Sequence, residues 1–382
     1  MSASSPEGGT PTHEPADVAA AYDSVARTAA ALPAGTPALS GKDMVGAALP
    51  RRAPHAIFTA AAVIVVVLML TTGTNPLLLA VAATIMAGVA VYAWSRAVEG
   101  PRRALDRSVT IVVTAAFVTA VAPLVSVIYT VVDRGIARFD VPFFTESARN
   151  VVGAGGGAYH AIVGTLVITL LATAASVPIG IMAAVYLNEY GRGRLKSALV
   201  FFVDVMTGIP SIVAGLFAFA LFALFLGPGI RLGVMGAVAL SVLMIPIVVR
   251  STEEMLKVVP NGLRESSYAL GVPKWRTVVS VVLPTASAGI MTGVMVAVAR
   301  VIGETAPLLI TTGTFSTVNW NPFAGRMENL PVFSFSQYKN PGVPKAPYIE
   351  RAWAAALTLI VIVMVLNLIA RLLYRRFGKE AR

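Results

Sequence analysis

The chain has 382 residues, of which 56% are hydrophobic and only 13% charged; no soluble domain of this length needs so much apolar surface, so it reads as an integral membrane protein. Its formal charge of +11 comes without a basic stripe interleaved with aromatics, which argues against nucleic-acid binding and leaves the excess to membrane topology. There is no cysteine, and His13, His55 and His160 are far apart, so disulfides, thiolate metal sites and histidine metal clusters are excluded as well.

Residues 1–50 are rich in Ala, Gly, Pro, Ser and Thr and lack Phe, Trp and Ile. They have little to bury and are expected to form a disordered cytoplasmic tail. The first apolar run begins only near residue 57, which is not the pattern of a secretory signal. Eight stretches are long and apolar enough to span a hydrocarbon core of about 30 Å, which takes roughly 20 helical residues. They lie near 57–72, 76–94, 109–132, 160–187, 198–226, 232–250, 286–312 and 353–374. Gly73-Thr74-Asn75-Pro76 is a tight turn that makes the first two a hairpin. Pro178, Pro210 and Pro246 fall inside spans and should kink them. Small residues nearby, such as Ala174-Ala175-Ser176 and Ala214-Gly215, permit close helix contacts and rocking between bundles.

Most of the 30 Lys and Arg residues fall on one set of alternating loops. That side has Arg51 and Arg52, Arg102 and Arg103, Arg192 and Arg194, Lys274 and Arg276, and Arg375 and Arg376. By the positive-inside rule these loops and both termini are cytoplasmic in a multi-pass plasma-membrane protein. Two outer loops have substance: 133–158, with Phe143-Phe144 and Gly155-Gly156-Gly157, and 313–352, with Trp320, Phe323, Phe333, Phe335 and Tyr338. Each reads equally as a docking surface or as a packed cap.

The longest inner loop, 251–285, has legible punctuation. Asn261 is placed to cap a short helix, Gly271 to end it, and Pro273 to prevent its continuation. Leu263, Tyr268 and Leu270 supply apolar contacts while Arg264 and Glu265 supply charge, so this helix suits insertion into a partner's cleft or, alternatively, lies in the headgroups.

Several charges fall where hydrocarbon is expected. Arg300 and Glu304 lie one helical turn apart in a stretch uncharged from 277 to 299 and from 305 to 325. A charge at bilayer depth costs about 2.5–3.5 kcal/mol on insertion scales, so such a pair marks a pathway or a partner. Arg250, beside Glu253 and Glu254, reads as an interfacial anchor or a second contact on the pathway. Asp204 is expected to cap backbone freed by Pro210 or to pair with a neighbouring cation, and Glu189 to form a surface ion pair near Arg192 and Arg194.

The run Glu265-Ser266-Ser267, three residues, Gly271, nine residues, Val281, one residue, Leu283-Pro284 resembles the EAA loop of ABC importer permeases. Ser266-Ser267 stands where two alanines are usual and Val281 where isoleucine is usual. The resemblance implies that Arg264, Glu265, Ser266, Ser267, Tyr268, Leu270 and Gly271 form a coupling helix seated in a groove of the ATPase. No G-x-x-x-x-G-K-[ST] occurs, so the chain has no P-loop of its own and the ATPase must be a separate subunit.

The run Ala299-Arg300-Val301-Ile302-Gly303-Glu304-Thr305-Ala306-Pro307-Leu308-Leu309 looks like the signature of the PstA family of phosphate ABC importer permeases. Pro178-Ile179-Gly180-Ile181, Tyr186 to Tyr190, Gly208 to Val213, Pro246 to Glu253 and Leu263 to Trp275 support it, and the similarity covers about residues 109–380. It implies an all-α polytopic bundle of the MetI-like, type I importer kind, with a permease core of six spans over 109–380. A basic loop and an extra N-terminal two-helix hairpin over 51–108 then make eight spans, preceded by the 1–50 tail.

The implied role is that of a non-catalytic permease subunit forming half of the pathway. Its implied partners are a PstC-like permease in a heterodimer, a PstB-like ATPase dimer that uses ATP and Mg, a PstS-like phosphate-binding protein, phosphate itself and membrane lipid. The chain itself needs no cofactor. A guanidinium offers a planar fork of donors that keeps its charge, so Arg300 suits a dehydrated phosphate, with Glu304 on the same face neutralising it between cycles. Two other readings are a permease for another oxyanion, sulfate or molybdate, and a multispan membrane enzyme; the latter usually needs an acid, base or metal cluster at an interface, and none is visible.

Overall fold

The computed structural model describes residues 76–377, with residues 57, 59–60 and 63–64 before them. The tail expected over 1–50 and nearly all of the first expected span, 57–72, lie outside the described residues. Among the described residues all regular structure is helical.

The chain divides into two compact units, residues 1–123 and 124–382. In the first, α1 (Pro76–Glu99) is followed by α2 (Pro101–Gly135), which runs on into the second unit with Pro123 inside it. Gly100 takes φ +87°, a left-handed conformation open to glycine, and separates the two helices. Across that turn Arg107 Nη2 lies 2.7 Å from Glu99 Oε1. A groove lined by Thr84, Gly88, Tyr92, Ser108 and Ile111 runs between α1 and the start of α2. The described packing of α1 is therefore with the segment that follows it.

In the second unit the order is α3 (Val141–Thr145), α4 (Tyr159–Val185), α5 (Gly193–Thr207), α6 (Ser211–Leu226) and α7 (Gly233–Val258). Then come α8 (Asn261–Ala269), α9 (Lys274–Thr277), α10 (Leu283–Val301), α11 (Ala306–Thr311), α12 (Leu330–Lys339) and α13 (Ala346–Phe377). Two π-helical turns continue α4 through Tyr186–Tyr190 and join α9 to α10 through Val278–Val282. Five helical runs among the described residues are long and apolar enough to cross a membrane, six if the bent pair α5–α6 counts as one span.

One expected span is bent as Pro210 implied, and another is corrected. Over 198–226, α5 and α6 meet at 109°, because the backbone turns at Gly208 and Pro210 has no N–H with which to continue the helix. Pro178 and Pro246, by contrast, are carried inside α4 and α7. The span expected over 286–312 begins at Lys274 and ends at Val301; a turn at Ile302 and Gly303 separates it from α11.

α7 is the central element. Its apolar window is 61% buried, against 28% for α4 and 22% for the α9–α10 run. Leu240, Met244 and Val248 pack with Ile168 and Ala172 of α4 and with Ala297 and Val301 of α10. A second cluster, nearer the inner loops, joins Leu187, Val203, Val249, Leu256, Val282 and Ile290. Small residues set the spacing: a β-carbon on Gly180 would lie 2.7 Å from Val248, and one on Gly215 would lie 2.6 Å from the Pro307 Cα.

Both loops expected on the outer side form a packed cap. Asp140 caps α3 by accepting from Phe143 N–H at 3.2 Å, and Asn329 caps α12 by accepting from Val332 N–H at 3.0 Å. Phe143, Leu330, Phe333, Ala354 and Ala355 then share one buried cluster. Trp320 and Phe323 remain about two-thirds exposed, so the docking alternative also keeps a surface.

Candidate functional site: an inner platform and a charged membrane face

The platform expected on the inner side is α8. Its register puts Arg264 and Ser267, three residues apart, on the stripe facing the membrane domain. Leu263, Glu265, Ser266, Tyr268 and Leu270 face outward, and Leu270 at 83% exposure forms the tip. Gly271 takes φ +74°, the left-handed conformation that ends a helix, as its place in the sequence implied. Asn261 does not cap the helix: Pro260 occupies the N-cap, and the Asn261 Oδ1 instead accepts from Arg264 Nη1 at 3.2 Å.

Arg264 ties this helix to two spans. Its Nε and Nη2 donate to Glu189 Oε1 at 3.2 and 2.9 Å, and its Nη2 also donates to the Leu256 carbonyl at 2.9 Å. Its Nη1 donates to the Val259 carbonyl at 2.7 Å. These carbonyls lie at the C-terminal end of α7, where helical C=O groups lack intrahelical donors. Glu189 is therefore not a surface ion pair with Arg192 or Arg194. Its side chain is only 6% exposed, and its cationic partner comes from the far side of α7.

Three further contacts tighten the joint. Lys274 Nζ donates to the Glu189 carbonyl and stands 5.0 Å from the centre of the Tyr190 ring. The buried hydroxyls of Ser267 and Thr277 hydrogen-bond at 2.8 Å. Glu189 and Thr277 are thus the internal partners of Arg264 and Ser267, and sequence reasoning missed both. Neither carries a local signal, because their bonds close loops of 75 and 10 residues.

The second region is the membrane face shared by α7 and α10. A groove of about 350 Å³ is lined by Ile247, Ser251 and Glu254 of α7 and by Thr292, Gly293 and Val296 of α10. Arg300 follows Val296 by one turn on the same stripe of α10 and is exposed on the chain's surface. Its neighbour Val301 belongs to the same buried cluster as Leu240 and Met244 of α7, and Arg300 itself stands in the last turn of α10.

The expectation that Glu304 shares a helical face with Arg300 is corrected. α10 ends at Val301, and Glu304 N–H closes a turn to the Val301 carbonyl at 3.1 Å. Among the described residues neither Arg300 nor Glu304 has an ion-pair partner. Arg250, which also ends its apolar run on α7, is fully engaged instead. It donates to Asp204 of α5 and, at 2.9 Å, to Glu253, which also accepts from Lys257 at 2.8 Å. Asp204 therefore pairs with a neighbouring cation rather than capping the break at Pro210.

Residues 176–382 match the family model described as binding-protein-dependent transport system inner membrane component. The phosphate transport system permease protein PstA 1 of Mycobacterium tuberculosis (strain ATCC 25618 / H37Rv) is 45% identical over 276 residues, covering 71% of this chain and 88% of that protein. PstA of Mycobacterium leprae is 44% identical over 278 residues, covering 72% of this chain and 90% of that protein. PstA of Yersinia pestis is 38% identical over 277 residues, with 72% and 92% covered. A standing-off amphipathic helix between two spans, a charged membrane face and this extent of identity agree, and the chain belongs to the PstA family of binding-protein-dependent transport permeases.

Proposed function

We propose that this chain is the permease subunit of an ATP-driven phosphate importer, forming half of the translocation pathway and working with a separate ATPase. The observation that carries the reading is α8: an amphipathic helix whose Leu263, Tyr268 and Leu270 leave apolar surface exposed, most of all at the Leu270 tip, and suit a partner's cleft. Family membership supplies the substrate class, and Arg300, exposed in the last turn of α10 and without an ion-pair partner among the described residues, supplies a group that suits it.

Phosphate loses most of its hydration on entering a low-dielectric passage, and a forked, permanently charged donor replaces part of that shell. Arg300 meets the anion, and the Ser251, Thr292 and Glu254 groove lies next along its path to the inner side. Arg250, held between Asp204 and Glu253, orients the inner end of that path. Glu304 competes for Arg300 only if the turn at Ile302–Gly303 moves.

The assembly that fits is a PstC-like permease completing the pathway, a PstB-like ATPase dimer below using ATP and Mg, and a PstS-like binding protein delivering phosphate from outside. In this reading the chain sits in the plasma membrane with both termini cytoplasmic, and the segment before residue 109 adds a hairpin to a six-span core. The deciding experiment is co-purification with the three partners, followed by ATP hydrolysis driven by loaded binding protein. Phosphate is expected to stimulate hydrolysis and sulfate to leave it unchanged; stimulation by sulfate would move the reading to another oxyanion.

A further inference from the structure

An α8 that docks an ATPase accounts for its outward face, and its inward face needs a separate explanation. Four separate features meet at Glu189. Arg264 forks onto its carboxylate, Lys274 donates to its carbonyl, and Lys274 also covers the adjoining Tyr190 ring. The residue itself sits in the π-helical turn that ends α4. A second π-helical turn, Val278–Val282, starts one residue after Thr277, the hydroxyl partner of Ser267. Arg264 of α8 thus ends in one π-helical turn and Ser267 at the residue that precedes the other, and each turn adjoins a long apolar helix.

A π-helical turn has wider, less optimal hydrogen bonding than an α-helical one and recurs at functional sites. It is a place where a helix can change twist at low cost while the rest of the span stays rigid. The carboxylate is 6% exposed and the guanidinium side chain 13%, so the ion pair holds α8 to α4 in a way that a solvated surface pair does not. The same guanidinium holds the end of α7 through the Leu256 and Val259 carbonyls.

We infer that Arg264 and Glu189 are positioning residues forming a transmission joint, through which displacement of α8 by the ATPase turns the inner ends of α4 and α7 together. Arg264 in this reading does not dock the ATPase; its function is internal. The inference rests on the proposed function and adds to it the route by which the stroke enters the membrane.

The test uses the complete transporter in vesicles, with binding protein and inorganic phosphate, measuring both ATP hydrolysed and phosphate carried. Glu189→Gln is expected to leave assembly and the hydrolysis seen without binding protein near wild type while phosphate carried per ATP falls about tenfold, within the range over which single relay residues change coupling. Because the chain has no cysteine, Glu189→Cys with Arg264→Cys, joined by a short reducible thiol cross-linker, tests the joint itself. Coupling is expected to return when the bridge is formed and to fall again on reduction.

An unchanged ratio in Glu189→Gln overturns the inference. So does loss of assembly in both variants that the bridge does not repair, since the pair would then only hold the fold. Failure of the wild-type complex to carry any phosphate is a different result, and it strikes the functional reading instead.

Discussion

Gly164 of α4 lies against the backbone carbonyl of Glu328, so closely that a β-carbon at position 164 would fall inside van der Waals distance of that oxygen. The adjoining hydroxyl of Thr165 accepts from Leu330 N–H at 2.8 Å, and the Glu328 carboxylate accepts from Phe315 N–H at 3.1 Å and faces His160 Nε2 at 3.3 Å. The outer cap is thus seated directly on the first turns of α4. Gly164→Ala is expected to destabilise the folded chain by about 1–3 kcal/mol, the usual cost of overpacking a tight contact. The check is a lower thermal midpoint in detergent, with Gly208→Ala as a control, since a β-carbon there meets only one atom, at 3.6 Å.

Arg351 seals the same cap from the last span. It is 2% exposed, and its Nη1 donates to the Gly153 and Gly155 carbonyls at 2.8 and 2.7 Å, while its guanidinium carbon lies 4.5 Å from the centre of the Tyr348 ring. Hydrogen bonds from a charged donor contribute about 1.5–3 kcal/mol each. Arg351→Met keeps the stem but strands two carbonyls, so the glycine segment 153–157 should open. Limited proteolysis within that segment is expected to accelerate at least about tenfold, the factor corresponding to roughly 1.4 kcal/mol. Phe143, buried in the neighbouring cluster, should meanwhile keep its protection.

Much of this architecture was legible along the chain because it depends on neighbours in sequence. Apolar runs gave the long helices of the second unit, and Gly271 and Pro273 marked the end of α8 correctly. The bend between α5 and α6 was also written there, in Pro210, although its full 109° was not. Pairings across long loops were not legible. Glu189 looked like a partner for the adjacent Arg192, while its actual cation arrives from position 264. Arg300 and Glu304 looked like one turn of one helix, until Gly303 proved to sit past the helix end.

Arg250 separates two carboxylates that differ in their remaining support. Glu253 retains Lys257 when Arg250 is removed, whereas Asp204 has no other cation in the ion pairs among the described residues. Arg250→Gln should therefore harm expression and assembly more than Asp204→Asn does, because it leaves an uncompensated charge near hydrocarbon. Asp204→Asn alone is expected to cost under about 1 kcal/mol, since that carboxylate is more than half exposed in the chain. In a double-mutant cycle, Asp204→Asn added to Arg250→Gln should recover part of the lost thermal stability.

Arg300 offers two substitutions that divide charge from geometry. Arg300→Gln removes the cation and should cut phosphate uptake by roughly 10- to 150-fold, corresponding to about 1.5–3 kcal/mol for a charge-assisted contact. Arg300→Lys keeps the charge but loses the planar fork, so an intermediate rate is expected. Uptake of labelled phosphate into cells expressing the complete transporter is the measurement, with ATPase co-purification unchanged in both variants. Undiminished uptake in Arg300→Gln would move the anion to another part of the membrane face.

Arg264 lies on the inward stripe of α8 and Leu270 is its exposed C-cap, and their substitutions should fail in opposite ways. Leu270 is 83% exposed and makes the outward tip, so its truncation removes little from the isolated chain. If the tip enters a cleft, it is the anchor of that contact, and anchors of this kind contribute about 2 kcal/mol or more. Leu270→Asp is therefore expected to weaken retention of the ATPase subunit at least about 30-fold while leaving the thermal midpoint of the permease unchanged. Arg264→Ala should lower that midpoint, because it strands the Glu189 carboxylate and two carbonyls at the end of α7. Side-by-side pull-downs and melting curves of the two variants measure this division of labour. Equal loss of ATPase binding in both would mean that the inward and outward faces of α8 act as one docking surface.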